Sequence, residues 1–93
     1  MRLIEEQMLT AIHDRANWSK DNTSVTYNSK KASSVIRLHG HVIAVYGYDY
    51  DNMIADKGTF VTWPTRTTAS RLRALGIKAS LKQGQAAIDG VIL

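Results

Sequence analysis

The sequence predicts a small α+β domain: an N-terminal helix, a mostly antiparallel sheet, a short basic helix and a C-terminal hairpin. Three observations carry this. Apolar side chains recur at helical spacing through residues 2–16. Two β-branched runs, 34–39 and 42–46, flank Gly40-His41, the strongest hairpin signal in the chain. Residues 58–76 read as a strand, a proline break, a basic helix and a glycine stop. A chain of 93 residues bounds this to one domain. Its expected parts are a helix in 1–17, a β-meander in 23–63, a helix in 67–75 and terminal strands in 77–93.

In the first helix Ile4, Met8, Ala11, Ile12 and Arg15 follow the i, i+4, i+7, i+8 pattern, widened by Leu3. Glu5 and Glu6 near the start and Arg15 near the end suit the helix dipole. Asn17 is the expected stop, with Trp18 folding back onto the apolar face. Lys20-Asp21-Asn22 is a turn, Thr23 to Tyr27 a strand and Asn28 to Ser33 a polar loop. Beyond the hairpin, Met53-Ile54-Ala55 is a short strand that ends in a turn at Asp56-Lys57-Gly58.

Phe60 to Trp63 is β-branched and aromatic, so it reads as a strand, and Pro64 ends it. Thr67 is the favoured N-cap of the following helix. Ala69, Leu72 and Leu75 form its apolar stripe, with Arg66, Arg71 and Arg73 outside it. Gly76 is its left-handed stop, with Ile77 reaching back to Leu72. The period then changes to two: Ile77, Ala79 and Leu81 alternate with polar residues, Gln83-Gly84 turns the chain, and 85–88 returns. A helix over 78–88 is the rival reading, favoured by Ala86 and Ala87 and opposed by Gly84.

The formal charge is +4 and the pI about 9.6, a mild pull toward polyanions. Lys57, Arg66, Arg71, Arg73, Lys78 and Lys82 fall in a stretch without acidic residues, whereas Asp49, Asp51 and Asp56 fall in one without basic residues. Such asymmetry marks candidate binding surfaces. The absence of cysteine excludes disulfides, thiolate nucleophiles and zinc-thiolate sites, and suits a reducing cytosol. No apolar run nears the roughly 18 residues of a membrane span. Glu5 and Glu6 stand where a signal peptide would be apolar.

His39 and His41 could share one side of a strand and one metal, but no third ligand is spaced nearby. Two polar residues at a hairpin turn is the simpler account. Asp49 and Asp51 could form an acid/base pair, yet a soluble loop does not give the unequal environments such a pair needs. The chain holds no G-x-S-x-G elbow, P-loop or G-x-G-x-x-G. No catalytic, cofactor or metal site is expected. Tyr46, Tyr48 and Tyr50 recur at period two. Asp49 and Asp51, interleaved with them, would repel phosphates, so this edge suits a protein partner better than nucleic acid, with plain cross-strand packing of the tyrosines as the simpler account. Arg66, Arg71, Arg73, Lys78 and Lys82 make the competing case for nucleic acid, through phosphate contacts.

Three longer patterns complete the reading. They are Asn17-Trp18 with Asn22-Thr23-x-Val25, Leu38-His39-Gly40-His41-x-Ile43-Ala44, and Trp63-x-Thr65-Arg66-Thr67-Thr68-x-x-Arg71-Leu72-x-Ala74-Leu75-Gly76. Together they resemble a group of small tailed-bacteriophage proteins with no assigned activity, over residues 17–90. Ala86-Ala87 departs from the larger aromatics expected in the last strand. The resemblance implies a compact accessory protein of the bacterial host cytoplasm that acts by occupying a surface. The expected partner is a host protein of defence, transcription or DNA processing, which it would modulate or inhibit. Nucleic-acid binding by the basic 66–82 segment is the alternative. An exposed edge strand with apolar Val91-Ile92-Leu93 would also allow a homodimer.

Overall fold

In the computed structural model, which describes residues 2–93, the first helix α1 (Leu3–His13) lays Met8, Ala11 and Ile12 against a sheet. That sheet is an antiparallel meander of β1 (Trp18–Lys20), β2 (Thr23–Asn28), β3 (Ser33–Leu38), β4 (His41–Gly47) and β5 (Asn52–Ala55), in that order. Two short helices follow, α2 (Lys57–Thr62) and α3 (Arg66–Ala74). A second antiparallel sheet, β6 (Ala79–Lys82), β7 (Gln85–Ile88) and β8 (Val91–Ile92), closes the chain. The α+β class read from the sequence is what the structure shows.

Alternation along the strands builds one inner row: Trp18 opposite Val25, Val25 opposite Ile36, Ile36 opposite Ala44. A bulge between Ile36 and Arg37 shifts the β3–β4 register. It leaves Ile43 as an extra residue, so Ile43 and Ala44 both enter the core although they are neighbours. The three helices supply Met8, Phe60 and Leu72 to the same cluster.

Several expectations need correction. α1 stops at His13, not at Asn17. Arg15 takes the left-handed conformation (φ 53°), and Ala16 and Arg15 donate back to the carbonyls of Ala11 and Ile12. This is the Schellman stop usually made by glycine. Trp18 does pack on the core, but from a strand, β1, that the sequence did not announce. The β3–β4 turn is His39-Gly40, with φ 52° and 79°, a two-residue loop one position earlier than Gly40-His41.

The largest correction is residues 57–62, a helix where Phe60 to Trp63 read as a strand. Asp56 accepts a hydrogen bond from the Thr59 N–H at 3.0 Å and caps it. The helix buries Phe60 completely and leaves Val61 and Trp63 exposed. One burial anchor plus a cap outweighs a β propensity that amounts to about 1 kcal/mol across its whole scale. α3 begins at Arg66, because Thr65, not Thr67, is its N-cap: Thr65 Oγ1 accepts from the Thr68 N–H at 3.1 Å. Its C-terminal stop is as expected. Gly76 has φ 92°, and Ile77 and Gly76 donate to the carbonyls of Leu72 and Arg73.

Residues 79–88 form a hairpin, so the rival helix does not occur. Ala86 and Ala87 are buried in β7, which lies against α2, and their small side chains permit that approach. Val91, Ile92 and Leu93 are exposed, on or just after the edge strand β8. Among the described residues no helix is long and apolar enough to cross a membrane.

Candidate functional site

Two residues of the tyrosine edge, Tyr46 and Tyr48, are half-buried and packed against the core. Tyr46 and Tyr48 meet edge-to-face with ring centroids 4.8 Å apart, and Tyr27 packs on Tyr48 in the same way at 5.7 Å. The Tyr48 hydroxyl donates to the Ile12 carbonyl, so it accepts from Ser34 Oγ at 2.7 Å. The Arg15 guanidinium lies 4.6 Å above the Tyr48 ring. These contacts fasten the end of α1 to the sheet.

The Tyr46 hydroxyl donates to Asp51. This bond, then desolvation and the Asp51 charge, raises the phenol above its ordinary value of 10.0. Asp49 and Tyr50 stay in the exposed turn, Tyr50 at 87%. Of the five residues expected to meet a protein partner, two build the core edge and Asp51 is engaged by Tyr46.

The basic set divides as well. Arg71 is only 3% exposed and lies inside the protein, facing Glu5 of α1, which is 4% exposed. Its Nη1 is 2.8 Å from Glu5 Oε2, and its Nε donates to Thr23 Oγ1 at 3.0 Å. Ser70 Oγ donates to the same Glu5 oxygen at 2.6 Å, and Thr23 Oγ1 donates its own hydrogen bond to Asn22 Oδ1 at 2.9 Å. Desolvation raises the Glu5 carboxyl, but the Ser70 and Arg71 hydrogen bonds, with the Arg71 charge, outweigh it and hold the pKa below the ordinary 4.5. Arg71 is therefore structural, contrary to its place among the expected phosphate contacts.

Arg66 and Arg73 lie two helical turns apart and share one side of α3. There they line a groove of about 650 Å³ together with Arg2, Ser70 and Leu81. One Nη of Arg73 donates to the Ala79 carbonyl at 3.0 Å, which fixes the guanidinium while the residue stays exposed. No carboxylate lines this groove. Lys78 and Lys82 are exposed on the neighbouring chain but do not line it. Arg2 was missed because it belongs to no periodic pattern: it immediately precedes α1.

A second recess, of about 270 Å³, opens between the His39-Gly40 turn and the α2–α3 junction. His39 and His41 both line it. The His41 imidazole stacks on Trp63, with centroids 5.2 Å apart and planes 27° from parallel. No group of three or more His, Cys, Asp or Glu positioned to hold a metal occurs among the described residues. The sequence offered one clue to this recess, an aromatic residue directly before the proline that joins two elements.

Fold and site thus define a small α+β protein with two recesses beside the first turn of α3. Its origin is given by the sequence as a whole. The family model described as Kyanoviridae Gp96 protein, a phage protein family, matches residues 1–90, and the chain belongs to this family. No curated protein and no solved structure matches it.

Proposed function

We propose that this phage protein acts inside the infected cell by occupying an anionic surface of a host macromolecule, without catalysis, and so modulates or inhibits it. One observation carries the reading: Arg2, Arg66 and Arg73, from two separate segments, converge on a groove that no carboxylate lines. Guanidinium forks suit phosphate and carboxylate oxygens. Of the two partner classes, nucleic acid is favoured over a host protein. Two of the three tyrosines that would have anchored a protein, Tyr46 and Tyr48, bond their hydroxyls within the fold, and a charged groove without an aromatic anchor fits phosphates.

The test is fluorescence anisotropy with a labelled single-stranded oligonucleotide across a salt series. The protein binds, and affinity falls as salt rises. Removing Arg66 and Arg73 together flattens the logarithmic slope by about 1.4, at roughly 0.7 per phosphate contact on a single strand. A pull-down from nuclease-treated lysate that returns one stoichiometric host protein at low and high salt contradicts the nucleic-acid choice. It favours a protein partner held through exposed Tyr50 and Asp49 instead.

A further inference from the structure

The second recess has no part in the reading above, yet it is the most built feature of the surface. Its walls are held by backbone hydrogen bonds. The Thr65 N–H donates to the Trp63 carbonyl at 2.8 Å, closing a tight turn across Pro64, and the Trp63 N–H donates to Thr59 at 2.8 Å. The His39 N–H donates to the Asn22 carbonyl at 2.7 Å and ties the opposite rim to the β1–β2 turn. The recess is therefore preformed. Leu38 and Ile43 give it apolar surface, the His41–Trp63 stack gives it an aromatic wall, and Thr59 and Thr67 add polar groups. Trp63 remains 49% exposed, so part of the indole is open to a ligand.

We propose that this recess holds one unpaired nucleobase of a single-stranded nucleic acid. The proposal rests on the reading that the arginine groove holds a polyanion, and it names the form of that polyanion. A flat ring can stack on the part of Trp63 that His41 leaves open, and base–aromatic stacking tolerates any base. No aspartate, glutamate, lysine or arginine lines the recess, so the bound ring is neutral. Hydroxyls and imidazoles can meet the heteroatoms at a base edge, as in single-strand recognition. At about 270 Å³ the recess falls just under the roughly 300 Å³ at which ordinary ligand pockets begin, room for one ring system but not for a whole nucleotide.

The sugar and phosphate therefore stay outside, and the chain provides for them. Thr65 and Thr67 line the recess, and Arg66 between them lines the groove. The sugar–phosphate of the bound base would leave by the start of α3, where Arg66 is the chain neighbour of two recess residues. An aromatic side chain from a protein would fill the same space without using Arg66. A base stacked within a duplex could not enter.

The test compares a short oligonucleotide with the same strand carrying abasic sites, reading affinity by anisotropy and Trp63 by its emission. Trp18→Phe protein serves as background, excited where tyrosine does not absorb, so that Trp63 is the one tryptophan that emits. The intact strand binds roughly 5- to 150-fold tighter than the abasic one, the span of one stacked base, and quenches Trp63. Trp63→Ala removes the difference and keeps the salt slope. Chemical shifts of the His39 and His41 ring protons on adding adenosine give a second readout that needs no variant.

Equal affinity for the two strands, with the salt slope intact, overturns the base site and leaves the polyanion reading standing. Adenosine quenching Trp63 while neither strand binds overturns the polyanion reading and keeps the recess as a site for a free base. A tyrosine-containing peptide quenching Trp63 more strongly than adenosine overturns the base assignment in favour of a protein side chain.

Discussion

Arg66, Arg71 and Arg73 share a helix of nine residues and have opposite surroundings. Arg71 is withdrawn from water and held by Glu5 and Thr23, whereas Arg66 and Arg73 are exposed along a groove. The difference lies in what each meets. Arg71 sits on the flank of the apolar stripe, where α1 crosses, and Glu5 is there to receive it. Arg66 and Arg73 lie on the side that faces the open groove. A count of basic residues treats the three alike, but burial with a partner withdraws one into the core and leaves two exposed.

The strongest way to break this comparison is to remove the buried partner. Glu5→Ala leaves Arg71 charged and unpaired in the interior, and costs about 3–5 kcal/mol of stability. Urea denaturation measures it. Replacing Glu5 and Arg71 together with Met and Leu restores much of the loss, since apolar packing can substitute for a buried ion pair. The pair also sets a pH response. The folded-state pKa of Glu5 lies below its ordinary 4.5, so its contribution is fully present above that pH and is lost as pH falls through the folded value. Denaturation midpoints of the wild type and Glu5→Gln therefore differ most near neutrality and converge in acid.

Smaller effects sharpen the comparison elsewhere. Tyr48→Phe strands the buried Ser34 hydroxyl, while the Ile12 carbonyl keeps the Arg15 N–H, at a cost of about 1–3 kcal/mol. An exposed binding tyrosine would show no such loss, so thermal unfolding decides between the roles. Thr65→Ala removes the α3 cap and costs about 0.5–2 kcal/mol, whereas Thr67→Ala, one residue into the helix, stays within about 0.5 kcal/mol. Arg66→Ala is the mildest, within about 0.5 kcal/mol of wild-type stability.

What was legible in the sequence follows the range of the interactions. The α3 stop at Gly76, the 79–88 hairpin and the Met8, Ala11, Ile12 part of the α1 stripe are set by neighbouring residues and stand in the structure, whereas Leu3 is exposed and Arg15 lies beyond the helix. α2 was misread because Phe60, Val61, Thr62 and Trp63 each suit a strand, while the Asp56 cap and the space that receives Phe60 decide for a helix. β1 is only three residues long and exists by pairing with β2. The spacing of Tyr46, Tyr48 and Tyr50 grouped all three on one face, but only Tyr46 and Tyr48 meet and pack by the end of α1, while Tyr50 stays exposed. That depended on α1 arriving over the sheet with the Ile12 carbonyl exposed to Tyr48. Arg71 meets a partner 66 positions away, a distance that no local pattern reports. Arg2 joins the groove for the same reason.

The division of labour among the three arginines is the central claim, and one paired measurement tests it. Thermal stability and oligonucleotide affinity are read on the same preparations of wild type, Arg71→Ala and the Arg66→Ala/Arg73→Ala double variant. The account predicts that Arg71→Ala loses stability. It predicts that the double variant melts close to wild type, yet binds more weakly with a flatter salt slope. A double variant that binds as wild type does, or an Arg71→Ala protein that stays fully stable while losing affinity, would contradict it.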